Sequence, residues 1–245
     1  MHLTILVGGE AGQGVQSIGS ILCRSFSRGG YHVFADQDYE SRVRGGHNFY
    51  RIRISSDEVR AISEHIDLLI ALNAESISLH AGEMIENSVI ISDEGNGQSP
   101  TNFGNFFPVP LGKLSVEQTG SKVMANTVAL GAAMGLLRFD QGIMDIVLKE
   151  HFGTGEKGDH NVKAALTGYH YATKRFEGDF DKKLDPLERG KRMLLNGNEA
   201  KALGAIAAGC SFMSAYPMTP ASSIMEYLAG KSEELGLVVV QPEDE

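Results

Sequence analysis

Leu3-Thr4-Ile5-Leu6-Val7-Gly8-Gly9-Glu10-Ala11-Gly12-Gln13-Gly14-Val15 runs from a β-rich apolar stretch through a glycine loop into the first residue of a helix. Val15, Ile18, Ile21, Leu22 and Phe26 then recur at helical spacing, Gly29-Gly30 closes the helix, and residues 31–35 read as a second strand. A βαβ unit with a right-handed crossover and a parallel sheet is the expected outcome. Residues 48–54 alternate, with Tyr50, Ile52 and Ile54 on one face and Phe49, Arg51 and Arg53 on the other. This predicts a half-buried strand carrying two arginines on an exposed face. Residues 66–72 and 88–92 are further apolar strands, separated by a helical stretch containing Ile77, Leu79 and Met84. Residues 93–107, rich in Gly, Asn, Ser and Pro, read as a loop excursion at the sheet's edge, and helices are expected over 123–137, 141–151 and 161–176.

The remainder divides on charge. From Lys174 to Arg192, 12 of 19 residues are charged, which predicts a solvated linker, so the expected division is a domain over 1–178, a linker over 179–196 and a second α/β unit over 197–245. In that unit Asn198 is a candidate N-cap for a helix over 199–208, followed by a strand at 211–215, a Pro-rich turn at 216–220, a helix through Ile224 and Leu228, and a strand at 237–241. Some 50 residues are fewer than a sheet covered on both faces needs to bury its core, so this unit reads as the truncated start of a domain.

Composition sets the outer limits. The chain has 245 residues, 42% of them apolar, and a formal charge of −9, which supports a sizeable core and argues against broad binding to nucleic acid or an anionic membrane. Cys23 and Cys210 lie far apart, outside any CxxC or Cys/His cluster, so neither a disulfide framework nor a metal site is expected, and a reducing cytoplasm fits. The first seven residues lack a basic region and a cleavage site, and no apolar stretch reaches the ~18 residues of a membrane span. Glycine is in excess, 29 of 245 or about 12% against a usual ~7%.

A strand feeding a helix through glycines makes an anion site, because the first-turn N–H groups and the helix dipole face one point. Gly12-Gln13-Gly14 is a near miss to the dinucleotide fingerprint: Ser17 stands where the third glycine belongs, though Asp36 lies at about the ~20-residue distance of a ribose-binding acid. No Gly-Lys-Ser/Thr marks a P-loop. An NAD-like nucleotide module and a ligand-free tight turn therefore both stay open on spacing alone. Arg42, Arg44-Gly45-Gly46-His47, Arg51 and Arg53 form a compact basic cluster, read either as a guanidinium and amide site for phosphates or as solvated arginines around a Gly-Gly turn.

Gly9-Glu10-Ala11-Gly12-Gln13-Gly14-Val15, then Arg44-Gly45-Gly46, Tyr50-Arg51-Ile52-Arg53-Ile54-Ser55, Asp67-Leu68-Leu69-Ile70-Ala71-Leu72 and Asn126 heading an alanine-rich helix resemble, in this order, the gamma subunit of 2-oxoacid:ferredoxin oxidoreductases. The resemblance implies a gamma-type three-layer α/β domain with a largely parallel sheet beside a coenzyme A site. Its candidate contacts are Gly12, Gln13, Gly14, Val15, Arg44, Gly45 and Gly46. Tyr216-Pro217-Met218-Thr219-Pro220-Ala221-Ser222-Ser223 is similar to the Tyr-Pro-Ile-Thr-Pro-Ser-Ser motif of the family's alpha subunit, whose pyrimidine-type domain binds thiamine diphosphate. That likeness implies Tyr216 and Thr219 as substrate-binding residues, with Thr219 facing the 2-oxoacid. It also implies a carboxylate at Glu245, with Glu243 second, to activate the thiamine aminopyrimidine. The implied reaction oxidatively decarboxylates a 2-oxoacid, 2-oxoglutarate favoured over pyruvate alone, to acyl-CoA and CO2 with reduction of ferredoxin. Mg2+ and an iron–sulfur cluster would come only with the beta subunit, in a hetero-oligomer.

Overall fold

Apolar side chains on both faces of residues 3–7 make this stretch a central strand, because a strand alternating apolar and polar residues could be covered on one face only. The structure, a computed structural model, describes residues 1–38, 46–95, 105–190 and 192–244. It places β1 (His2–Glu10) inside a six-stranded sheet with β2 (His32–Asp38), β3 (His47–Ser55), β4 (Ile66–Ala71), β5 (Met84–Asp93) and β6 (Asn105–Val109), in the order β2-β3-β1-β4-β5-β6. The β1/β4, β4/β5 and β5/β6 pairs are parallel, whereas β3 runs antiparallel to both β1 and β2.

The sheet is thus largely parallel, as expected, but its opening differs from a simple βαβ unit. β1 and β2 point the same way without touching, because β3 is wedged between them, with His2 opposite Ser55 and Glu10 opposite His47. Periodicity identifies a strand but carries no information about its neighbour, which only the tertiary pairing decides.

One face of the sheet carries α1 (Val15–Arg28), α4 (Ala125–Leu136), α5 (Gln141–Phe152) and α6 (Glu156–Arg175), packed on Leu3, Ile5, Val7, Ile52, Ile54, Leu68 and Ile70. Phe26 is fully buried there, edge-on to Phe139 at 5.2 Å, a burial contributing about 1.5–3 kcal/mol. The other face carries α2 (Ala74–His80), whose Ile77 packs with Leu6, Ile66, Leu69 and Ile90. Alternate residues of β1 therefore feed two separate cores. β6 begins inside the region read as loop, residues 93–107, and is followed by α3 (Leu111–Thr119); residues 96–104 of that region lie outside the described residues.

Contact-wise the chain forms two units, 1–192 and 193–245. Residues 179–190, expected as solvated linker, hold no helix or strand, yet they pack on the first unit. Leu184 is 1% exposed and its N–H donates to Leu137 O, Leu187 N–H donates to Gly29 O, and Tyr31 Oη donates to Asp185 O. A charged stretch still docks when an occasional leucine reaches the core and its backbone finds partners, and composition alone does not show this. In the second unit α7 (Gly197–Ala207), β7 (Phe212–Ser214), α8 (Ser222–Ala229), α9 (Ser232–Leu235) and β8 (Val238–Val240) build a parallel two-stranded sheet around Ala202, Leu228 and Leu237. The N-cap of α7 is Asn196, in a capping box with Glu199, and Asn198, expected in that role, is used elsewhere.

α4 and α6 are in backbone contact. A Cβ on Gly131 would lie 1.8 Å from Ala165 O and one on Gly168 would lie 2.0 Å from Val128 O, so neither position accepts alanine unless the helices separate. Gly131→Ala is expected to destabilise the protein by about 1–3 kcal/mol, seen as a lower thermal midpoint in circular dichroism. An unchanged midpoint would show that the two helices do not meet this closely.

Candidate functional site

β1 delivers its last residue, Glu10, to the carboxyl end of the parallel strands, where α/β sheets bind their ligands. The loop that follows closes on itself: Gln13 N–H donates to Glu10 O at 3.1 Å, and Glu10 N–H donates to Gln13 Oε1 at 2.7 Å. Gly12 at φ +92° and Gly14 at φ +83° occupy the left-handed region that other residues enter at a cost. A Cβ on Gly12 would meet nothing within 4 Å, so the loop is open to solvent there. Gly14 is the N-cap of α1, no side chain among the described residues caps that helix, and its first turn holds no acidic residue. Its leading N–H groups thus await an acceptor, which an anion supplies.

The four loop candidates divide in their use. Gly12 and Gly14 shape the mouth, and Val15 buries its side chain in the core, so its backbone alone serves the loop. Gln13 spends its side-chain oxygen as a brace on Glu10. Gly46, at φ +79°, immediately precedes β3, and the register of β3 puts His47 opposite Glu10 and Asn48 opposite Gly9. The end of the Arg-Gly-Gly segment therefore meets the glycine loop at one end of the sheet. Arg42, Arg44 and Gly45 lie outside the described residues.

Arg51 and Arg53 do not share an exposed face. Arg51 is 8% exposed and ion-paired with Glu83, donates to Ser63 O, and lies over the Phe49 ring; Arg53 donates to Ala61 O. Ser63 and Ala61 lie in the loop before β4 and Glu83 lies beyond it, so local alternation could not show that they cover the strand. Sequence reasoning also missed the chain that continues from Glu83. Its Oε1 lies 2.7 Å from His80 Nδ1, and His80 Nε2 lies 2.8 Å from His47 Nε2. The available signal was His80-x-x-Glu83, an i,i+3 pair, with His47 directly after Gly46.

The geometry also bears on the dinucleotide reading. In that fingerprint the ribose-binding acid ends the strand next to the glycine-loop strand. Here β3 intervenes, so Asp36 on β2 stands two strand spacings of about 4.8 Å from β1, opposite Arg51. Burial raises its carboxyl above the usual carboxylate range, although Arg51 opposes the shift. Cys23 is not poised as a nucleophile, because burial pushes its thiol up to about 12.

In the second unit Tyr216, Met218 and Thr219 are exposed on a turn closed by Ala221 N–H donating to Met218 O at 2.8 Å. Asn198 ties this turn to α7, its Nδ2 donating to Pro220 O at 2.8 Å and to Ser223 Oγ at 2.7 Å. Glu243 is exposed beyond β8, and Glu245 lies outside the described residues.

Residues 4–171 match the family model described as pyruvate ferredoxin/flavodoxin oxidoreductase, and residues 203–245 match the model for the thiamine diphosphate-binding part of pyruvate flavodoxin/ferredoxin oxidoreductase. The alpha subunit of a 2-oxoacid:ferredoxin oxidoreductase of Aeropyrum pernix is 23% identical over all of this chain, which spans 48% of that relative. The solved 2-oxoglutarate:ferredoxin oxidoreductase of Magnetococcus marinus, with 2-oxoglutarate, coenzyme A and succinyl-CoA bound, superposes at TM-score 0.86 and 28% identity, covering 99% of this chain and 43% of that one. The keto/oxoacid ferredoxin oxidoreductase gamma subunit of Geobacter sulfurreducens, at TM-score 0.59 and 23% identity, shares the fold of 70% of this chain over 99% of its own length. The chain thus spans about half the length of the curated relatives it matches.

The two loop glycines are separable by substitution. Gly12→Ala meets open space and is expected to cost only the left-handed backbone strain, about 1–2 kcal/mol. Gly14→Ala adds a collision, because its Cβ would lie 2.2 Å from Asn126 Nδ2, and is expected to cost about 1–3 kcal/mol more. Urea unfolding compares the two, and equal losses would mean that Asn126 does not press on Gly14.

Proposed function

The chain belongs to the pyruvate ferredoxin/flavodoxin oxidoreductase family, and we propose that it is a component of a 2-oxoacid:ferredoxin oxidoreductase. In this reading a 2-oxoacid and coenzyme A give acyl-CoA, CO2 and a proton, and the two electrons released pass to two ferredoxins. Residues 1–178 form the gamma-type part that faces coenzyme A, residues 179–196 connect, the first of them docked on that part, and residues 197–245 belong to the alpha-type part. The observation that carries the reading is the open glycine loop: an uncapped helix N-terminus at the carboxyl end of the central strand, beside Gly46. In a protein of charge −9 such a concentration of backbone donors favours an anion locally, and the coenzyme A phosphates supply one. The wedge of β3 between β1 and β2 removes the geometric support for an NAD site.

Gly12 and Gly14, the backbone of Val15, and Gly46 with Arg44 and Gly45 would hold the phosphates, while Gln13 keeps the loop closed. Thr219 would donate its hydroxyl hydrogen bond to the 2-oxoacid, with Tyr216 beside it on the same exposed turn. Glu245, with Glu243 second, is the carboxylate assigned to the thiamine aminopyrimidine; the exposed carboxylate just beyond β8 suits that role in donor chemistry. Thiamine diphosphate, when bound, supplies the nucleophile that adds to the 2-oxo carbon and lets CO2 leave. The iron–sulfur cluster is assigned to a beta subunit, since the two separated cysteines of this chain cannot supply a four-cysteine ligand set, and Mg2+ is assigned there with it as the family resemblance implies. The bound 2-oxoglutarate and succinyl-CoA of the Magnetococcus marinus relative support 2-oxoglutarate as the substrate. Among the described residues no helix is long and apolar enough to cross a membrane, and a cytoplasmic hetero-oligomer is the proposed setting.

Co-purification with the beta subunit, followed by 2-oxoacid-dependent reduction of a viologen dye, tests the assignment. Reduction that requires coenzyme A and is fastest with 2-oxoglutarate is the expected outcome, and an assembled complex with no coenzyme A-dependent reduction of dye by any 2-oxoacid would overturn it. In the active complex Thr219→Val is expected to lower kcat by about tenfold, the value of one hydrogen bond, with assembly intact.

A further inference from the structure

The anion-binding capacity of the glycine loop depends on which way its peptide planes face, and one of them is held from another helix. Asn126, in the first turn of α4, donates from Nδ2 to Gln13 O at 3.1 Å. A trans peptide is planar with its C=O and N–H antiparallel, so a Gln13 carbonyl turned toward α4 aims the Gly14 N–H away from it. No acceptor for that Gly14 N–H exists among the described residues. Gly14 directly precedes the first turn of α1, whose N–H groups no side chain among the described residues caps.

Asn126 is itself fixed. Its Oδ1 accepts from Thr127 N–H at 2.7 Å and lies 3.3 Å from Thr127 Oγ1. Thr127 Oγ1 donates to Asn161 Oδ1 on α6 at 2.8 Å, and Asn161 Nδ2 donates to Lys157 O at 2.9 Å. Thr127 and Asn161 are each 4% exposed, so this network runs from the loop into the interior of the helical layer. Rotating the Asn126 amide by half a turn would set Oδ1 against Gln13 O and Nδ2 against Thr127 N–H, pairing like with like at both ends. The same amide lies so close to Gly14 that no side chain fits between them.

We propose that Asn126 is the positioning residue of the loop: through Gln13 O it holds the Gln13–Gly14 peptide in the one orientation that presents the Gly14 N–H to a phosphate oxygen of coenzyme A. This rests on the coenzyme A reading of the loop given above. A residue with a purely structural role would support stability and leave ligand affinity alone, whereas a positioning residue controls both the direction of the Gly14 amide and the affinity for phosphate.

Proton–nitrogen correlation spectra of the 15N-labelled 245-residue chain, titrated with inorganic pyrophosphate and separately with coenzyme A, distinguish these. In the wild type both probes are expected to shift the Gly14 amide. Asn126→Ala removes the donor without adding charge, and Asn126→Asp keeps the shape while replacing the donor with an acceptor. Each is expected to move the Gly14 amide before any probe is added and to weaken pyrophosphate by about tenfold, with the amides of β4 and β5 unmoved. Wild-type affinity in a folded Asn126→Ala, with only the thermal midpoint lowered, would overturn the proposal while leaving the coenzyme A reading in place. A wild-type Gly14 amide indifferent to both probes would overturn the reading of the loop itself, and this proposal with it. Thr127→Val, which removes the hydroxyl beside Asn126 Oδ1 and its bond to Asn161 while keeping the Thr127 N–H bond to Asn126, is expected to weaken pyrophosphate by about threefold, and it decides the question if neither Asn126 variant folds; unchanged affinity there would overturn the proposal.

Discussion

Donors at the start of α1 that no side chain among the described residues satisfies are the constraint around which the first unit is arranged. A helix N-terminus buried without partners is costly, and one facing solvent without a cap is weakly formed. Here α1 is anchored instead by its apolar face, from Val15 to Phe26, and by Gly14 accepting Ile18 N–H, so its first turn can stay uncapped. That arrangement requires a strand that ends at the right place, a loop that enters the left-handed region twice, and a second helix close enough to hold the loop's carbonyl. β1, the Gly12 and Gly14 pair, and Asn126 of α4 meet those three requirements.

Much of this was legible in the sequence because it is local. The apolar run at 3–7, the glycine loop and the helical spacing to Phe26 lie within 26 residues, and β1 and α1 fall where that pattern puts them. What was not legible is tertiary. β3 is recognisable as a strand, but its place between β1 and β2 is decided by pairing, and only the pairing carries Asp36 away from the loop. Arg51 reads as exposed because Phe49, Arg51 and Arg53 alternate against apolar neighbours, yet Glu83, 32 residues on, closes over it. Asn198 and Asn196 have the same chemistry two positions apart, and capping goes to Asn196 because Glu199 stands three residues after it and completes a reciprocal box.

The candidate site shows the same division. Gly12 and Gly14 were readable as glycines required by backbone geometry, and the resemblance placed Asn126 in the pattern without saying what it does. Its role depends on a contact spanning 113 residues, which no local signal contains. Gln13 illustrates the reverse case. Its position suggested ligand contact, but a side chain that accepts from the backbone N–H of Glu10 is occupied in shaping the loop. In the second unit the Pro-rich turn was legible as rigid, while its attachment to α7 through Asn198 was not.

β3 finally explains why two features that look unrelated in sequence, the Arg-Gly-Gly segment and His80-x-x-Glu83, belong to one end of the sheet. Its first residue, His47, stands opposite Glu10 at the mouth of the glycine loop and also reaches His80 on α2. The Nε2-to-Nε2 bond holds a single proton between the two imidazoles, so one of them must accept and be neutral at that nitrogen. With Glu83 accepting at the far side of His80 and paired to Arg51, the direction of every link from β3 to α2 and back to β3 is constrained by charge. A strand that meets β1 antiparallel at this register therefore joins the helix on one face of the sheet to the loop that serves the helix on the other, and it does so through its own first five residues, from His47 to Arg51.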